Sequence, residues 1–131
     1  MTSRRERLKK LVSVQEQLKA LHETRHAGFL AQAAAAGQEA EELAARSDGA
    51  TSLSGLFPDL YHRRISQALT RQVDNQDLAR AEAERVAAAT ARTNMVERSY
   101  REARQKDDRA RGERDTLEMI EQLRGHSERD E

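Results

Sequence analysis

Apolar and small residues recur through the second half of the chain at alternating intervals of four and three. From Ile65 the series runs Leu69, Gln72, Gln76, Ala79, Ala83, Val86, Thr90 and Thr93. It slips once, to Val96, and resumes as Tyr100, Ala103, Asp107, Ala110, Arg114, Leu117 and Ile120. Arg, Glu, Asp and Gln fill the positions between, no Pro interrupts the run, and no Gly enters it before Gly112. A seam recurring every 3.5 residues predicts a helix paired lengthwise with another helix. At 1.5 Å per residue this helix is about 100 Å long, too long for the wall of an ordinary globular domain. The slip after Thr93 predicts local overwinding of the supercoil.

The first half carries a matching stripe. Ser3-Arg4-Arg5-Glu6 fits a capping box, and Leu8, Leu11, Val14, Leu18 and Leu21 follow it. The stripe weakens through Arg25 and Gly28, then returns as Phe29 or Leu30, Ala33, Ala36, Ala40 and Leu43. Small side chains over 31–36 let a partner helix approach closely. The loop signal is concentrated at Ser47-Asp48-Gly49-Ala50-Thr51-Ser52, with Gly55 and Pro58 beyond it. Pro58 suits a first helical turn, where its missing N–H costs nothing.

The expected architecture is all-α: an antiparallel coiled-coil hairpin in one domain. Helix one spans 4–46, the loop 47–57, helix two 58–124, and a frayed tail 125–131. Doubling back at the loop sets Leu18 level with Val86, Leu11 with Thr93 and Ser3 with Arg101. From about Glu102 helix two has no partner in its own chain, although Leu117, Met119, Ile120 and Leu123 continue its apolar positions. Pairs such as Glu118 with Gln122 add only about 0.2–0.5 kcal/mol each and do not account for that group.

Composition narrows the class. Of 131 residues, 35% are charged and 3% aromatic, too little apolar bulk for a compact core. Zero net charge and a single Pro argue equally against disorder. Without cysteine there is no disulfide framework, thiolate metal site or thiol nucleophile. Met1-Thr2-Ser3-Arg4-Arg5 leads into a charged helical pattern without an apolar h-region, so no secretory signal is expected. No apolar run approaches the roughly 20 residues that span a bilayer. A cytoplasmic location without direct membrane insertion is the expectation.

Three features could carry chemistry. His22-Glu23-Thr24-Arg25-His26 matches H-E-x-x-H, which on a helix sets two imidazoles on one face for zinc with Glu23 as base. A zinc hydrolase also needs a third ligand and a walled cleft, and a thin hairpin supplies neither. The two histidines are therefore expected to be solvated and to flank the seam, with no metal and no catalytic role. Arg98, Arg101, Arg104, Arg109, Arg111 and Arg114 are interleaved with Glu97, Glu102, Asp107, Asp108, Glu113 and Asp115. Nucleic acid selects an uncompensated basic stripe with stacking aromatics, so it is not an expected partner. Leu53, Leu56, Phe57, Leu60, Tyr61 and Ile65 cluster at the turn, with two of the four aromatics in the chain. They close the tip by packing on one another, or anchor a partner through the face of Tyr61, Ile65, Ala68 and Gln72. No phosphate-cradling loop, nucleophile elbow or paired carboxylates argue for an enzyme or a cofactor.

The layout resembles the flagellar FliJ family across nearly the whole chain. Arg7-Leu8-Lys9-Lys10-Leu11 through Leu21 is similar to its leucine-patterned start, and Phe57 to Gln72 to the beginning of its second helix. Arg114-Asp115-Thr116-Leu117-Glu118-Met119-Ile120-Glu121 resembles its closing segment. The resemblance implies a central stalk of the type III protein export apparatus, similar to the rotor shaft of F-type ATPases. It implies binding to the hexameric export ATPase with promotion of its activity, and contacts with the export gate membrane protein and export chaperones. It also places the protein at the periphery of the inner-membrane export apparatus. On that reading Leu8, Leu11, Leu117, Met119, Ile120 and Leu123 are candidates for the ATPase ring. Phe57, Tyr61, Ile65, Ala68 and Gln72 are candidates for the gate. The alternatives are a structural homodimer and an adaptor or chaperone hairpin unrelated to secretion.

Overall fold

The computed structural model describes residues 2–49 and 55–130. They form two helices, α1 (Arg4–Ser47) and α2 (Pro58–Asp130), with no strand among the described residues. The all-α expectation holds. Leu53 of the turn cluster lies outside the described residues.

The helix ends follow local chemistry. Ser3 Oγ accepts from the Glu6 N–H at 3.2 Å, and Glu6 Oε2 accepts from the Ser3 N–H at 3.3 Å, a complete capping box. α1 closes as the Asp48 N–H donates to the Ala44 carbonyl and the Gly49 N–H to that of Arg46, each at 3.2 Å. Pro58 opens α2, and the Phe57 carbonyl accepts the first helical hydrogen bond, from Tyr61. α2 then passes Gly125 without a break and runs to Asp130, so residues 125–130 are helical rather than a frayed tail. Gly125 has no positive φ. It costs the helix about 1 kcal/mol relative to Ala, which ends a helix only where the chain must turn.

The chain packs as two compact units, Gln17–Thr90 and Met1–Glu16 with Ala91–Glu131. In Gln17–Thr90 the buried and half-buried positions of α1 are Lys19, His22, His26, Phe29, Ala33, Ala36, Ala40, Leu43 and Ser47, with Gly37 beside Ala36. Those of α2 include Tyr61, Ile65, Ala68, Gln72, Asn75, Ala79, Glu82, Val86 and Ala89. Both series alternate strictly between intervals of three and four, the signature of knobs-into-holes packing. Two polar contacts cross between the helices in this unit. His22 meets Glu82, and further along α1 Glu39 meets Arg71. Rising numbers in α1 thus match falling numbers in α2, the order an antiparallel hairpin requires.

The fully covered part of this seam is made of small side chains. Ala33, Ala36, Ala40, Ala68, Ala79 and Ala89 are buried, and Leu43 is the one large apolar residue buried with them among the described residues. Gly37 brings the helices closer still: a Cβ there would lie 2.5 Å from Gln72 Nε2. Polar seam residues are satisfied locally, as where the Asn75 amide donates to the Arg71 carbonyl at 2.8 Å. No side-chain nitrogen or oxygen buried among the described residues lacks a partner.

In Met1–Glu16 with Ala91–Glu131, the covered positions are Arg5, Leu8, Val12 and Gln15 on α1, with Thr93, Val96, Tyr100 and Ala103 among those on α2. Burial follows Val86, Ala89, Thr93, Val96, Tyr100 and Ala103 along α2 without losing step. The expected slip after Thr93 is therefore absent. It arose from placing Leu69, Gln76 and Ala83 in the seam; all three are exposed, and Ala68, Asn75 and Glu82 take their places. On α1 the same correction exchanges Leu11, Val14, Leu18 and Leu21 for Val12, Gln15, Lys19 and His22. The four displaced side chains flank the seam at 41–48% exposure. A straight 3.5-residue repeat in phase with Phe29, Ala33, Ala36, Ala40 and Leu43 admits only the second set.

Candidate functional site

Two surfaces and one buried cluster were candidates, and the structure treats them differently. The first surface is the far part of α2. Beyond Ala103 every residue through Arg124 is exposed, on all faces of the helix. Leu117, Met119, Ile120 and Leu123 are 59%, 63%, 51% and 68% exposed. The polar residues around them make i,i+4 contacts such as Arg104 with Asp108 at 4.0 Å. Exposed pairs of this kind contribute at most a few tenths of a kcal/mol.

The N-terminal turn of α1 reaches further along α2 than the sequence pairing placed it. Arg5 Nη1 lies 3.8 Å from Asp108 Oδ1. Ser3, Arg5, Glu6, Lys9, Tyr100, Asp107 and Arg111 line a shallow hollow. The expected boundary near Glu102 thus becomes a polar overlap extending to Arg111, where the contacts are long-side-chain and solvated. Leu8 and Leu11 do not form one patch with Leu117, Met119, Ile120 and Leu123. Leu8 is half-buried in the seam, and Leu11 stands beside it.

The second surface is the start of α2. Leu56, Phe57 and Leu60 are 72%, 56% and 45% exposed. Tyr61 and Ile65 are half-buried, and Ala68 is fully covered. Gln72 is half-buried with its amide against Gly37. The face named from Tyr61, Ile65, Ala68 and Gln72 is therefore the seam itself. Ala68 and Gln72 are spent on the chain's own α1 and are not available to a partner. The outward apolar side chains are Leu56, Phe57 and Leu60. Sequence spacing alone could not separate these sets, since both repeat at helical intervals.

The buried cluster comes from the H-E-x-x-H string. His22 and His26 occupy seam positions and are half-buried, not solvated on its flank. Glu23 faces solvent and meets Lys19 at 3.9 Å. His22 Nδ1 lies 2.8 Å from Glu82 Oε2, and Arg85 Nη1 donates to Glu82 Oε1 at 2.6 Å. The Glu82 side chain is 3% exposed, yet its cover is a single layer of side chains from two helices. Burial alone would push its carboxyl up. The hydrogen bonds from His22 and Arg85, with the charges of both, outweigh that and hold it below its ordinary value. Among the described residues no three His, Cys, Asp or Glu side chains gather as a metal site would require. The reading of the string did not find Glu82. Its signal was present: a seam through Ala68, Asn75 and Glu82 needs no slip after Thr93.

No protein-family model, curated protein or solved structure matches this chain. No helix among the described residues is long and apolar enough to cross a membrane.

Proposed function

We propose that this chain is a non-enzymatic stalk that inserts the far part of α2 into a ring-shaped ATPase, as the FliJ-like layout implies for a type III export apparatus. One observation carries this reading. Beyond the polar overlap that ends at Arg111, residues 112–124 form helix exposed on every face, and they display Leu117, Met119, Ile120 and Leu123 to solvent. An isolated helix in water derives little stability from propensity alone, so a long uncovered one bearing large apolar side chains suits a partner that surrounds it. A ring encloses a helix from every side; a flat partner covers one face.

The partner set follows from the same reading: a hexameric export ATPase around α2, an export gate membrane protein at Leu56, Phe57 and Leu60, and export chaperones on the exposed helix faces. Truncation after Arg111 tests the ring contact. The shortened protein retains the packed part of both units but loses stimulation of an export ATPase in a turnover assay. Unchanged stimulation would sink the proposal. A doubled mass in light scattering, lost on the same truncation, replaces the ring with a second copy of the chain. For the gate contact, Phe57→Ala with Leu60→Ala weakens binding to the cytoplasmic part of the gate while leaving the helical signal intact. Full binding by that variant removes the tip from the reading.

A further inference from the structure

We propose that the His22–Glu82–Arg85 cluster is a register key, a directional polar contact that selects one alignment of α1 against α2 within Gln17–Thr90. Apart from the Gly37–Gln72 approach and Leu43, the seam around it specifies alignment only weakly. Ala33, Ala36 and Ala40 on α1 and Ala68, Ala79 and Ala89 on α2 are all buried and nearly interchangeable. Shifting α1 by a heptad replaces Ala33 with Ala40, so at the alanine positions only the exchanges of Phe29 with Ala36 and of Ala36 with Leu43 tell the two pairings apart. Small apolar contacts are non-directional, so they stabilise the shifted pairing nearly as well.

Rotation is underdetermined at the same level. Between Leu18 and His26 the apolar pattern and the buried seam disagree. Leu18 and Leu21 stay 41% and 43% exposed while Lys19, His22 and His26 turn inward. From Phe29 to Leu43 the two patterns agree, and no charged residue is buried there. Glu82 is the one buried charged residue among those described, and it lies across from His22, where the patterns conflict. A buried polar group at a seam position is a recognised device for fixing coiled-coil register at some cost in stability.

Both carboxylate oxygens of Glu82 are used. The 2.8 Å contact from His22 crosses between the helices, whereas the 2.6 Å bond from Arg85 runs along α2 and holds the carboxylate toward that crossing. Shifting α1 so that Phe29 takes the place of His22 leaves a buried carboxylate with only its own-helix partner, and the opposite shift offers it only the neutral amide of Gln15. The other cross-helix pair, Arg71 with Glu39, is about half exposed on both sides and carries no such penalty when broken.

Nitroxide labels at Ala27 and Ala88, both exposed and outside the seam, read the alignment in the full chain by pulsed electron paramagnetic resonance. The unsubstituted protein gives one narrow interlabel distance. Glu82→Ala extends the alanine seam, so it preserves helix and is expected to add a population displaced by roughly 10 Å, one heptad of rise. Glu39→Ala, which removes the exposed pair, keeps the single distance. A folded Glu82→Ala protein with one unshifted distance overturns the proposal, as does equal broadening in Glu39→Ala. Should Glu82→Ala lose its helical signal, the labels are read in the double variant H22L/E82L, which refills the seam. A single unshifted distance there overturns the proposal equally.

Discussion

Replacing Gly28 by Ala is expected to stabilise the protein, and Gly37 supplies the internal control. Both glycines lie inside α1, and no glycine among the described residues has a positive φ, so neither is required by backbone geometry. In a helix interior Gly costs about 0.8–1 kcal/mol relative to Ala, largely through the greater freedom of the unfolded chain. At Gly28 an added Cβ meets nothing within 4 Å, so nothing offsets that gain. At Gly37 the Cβ falls 2.5 Å from Gln72 Nε2 and 3.1 Å from Cδ, so the Gln72 amide must swing away from its place between the helices. The lost contact cancels most of the propensity gain there. The expected outcome is a rise of about 0.8–1 kcal/mol for Gly28→Ala, or roughly 3–8 °C in melting temperature for a unit of this size. Gly37→Ala is expected to fall within about 0.5 kcal/mol of the unsubstituted protein. Thermal and urea melts followed by far-UV circular dichroism decide the matter. Equal gains at both sites would refute the close approach at Gly37. A loss at Gly28 would refute the propensity argument, since the open space around its Cβ offers nothing to offset the gain.

Leu43→Ala removes the one large apolar side chain buried in the described seam and is expected to cost about 2 kcal/mol or more, measured by urea denaturation. Leu21→Ala, at a position 43% exposed, is expected to cost about 1 kcal/mol. Reversal of that order would restore the leucine stripe to the seam. The Glu82 carboxyl is held below its ordinary value in the folded chain, so its stabilising contribution is present above the unfolded carboxylate range and is lost as pH falls through the lowered value. Acid melts between about pH 6 and 2 should therefore show a loss of stability that Glu82→Gln flattens. An identical acid profile for that variant would remove Glu82 from the account.

The two helices, the position of the turn and the capping box were legible in the sequence because each rests on local chemistry. Pairing arithmetic was legible near the middle of the helices, where setting Leu18 level with Val86 puts His22 level with Glu82 and the two side chains meet at 2.8 Å, but not at the start of α1, where Arg5 reaches Asp108. Rotational phase was not. Ile65, Gln72, Ala79, Val86 and Thr93 belong to either of two seams, and hydrophobicity favoured the one through Leu69 and the leucines of α1. Within Gln17–Thr90 the structure uses the other, in step with the buried Ala33, Ala36 and Ala40 of α1. Lys19 and Gln15 can sit at such positions because their aliphatic stems cover the seam while their polar ends reach water. The candidate surfaces were legible as apolar clusters but not by exposure. That distinction removed Ala68 and Gln72 from the tip and left Leu56, Phe57 and Leu60.

The order of cross-helix contacts also sets the order of folding. In Gln17–Thr90, joining Glu39 to Arg71 closes 32 residues, and joining His22 to Glu82 closes 60. Nearly doubling the loop adds only about 0.6 kcal/mol of closure entropy, and once the nearer pair has formed even that is mostly settled. The hairpin can therefore zip outward from its turn through an alanine seam that accepts errors cheaply. It reaches Glu82 only after several turns have paired. On the register-key proposal a misaligned zipper would meet an unmatched carboxylate there, so the contact can act late in folding as a proofreading step.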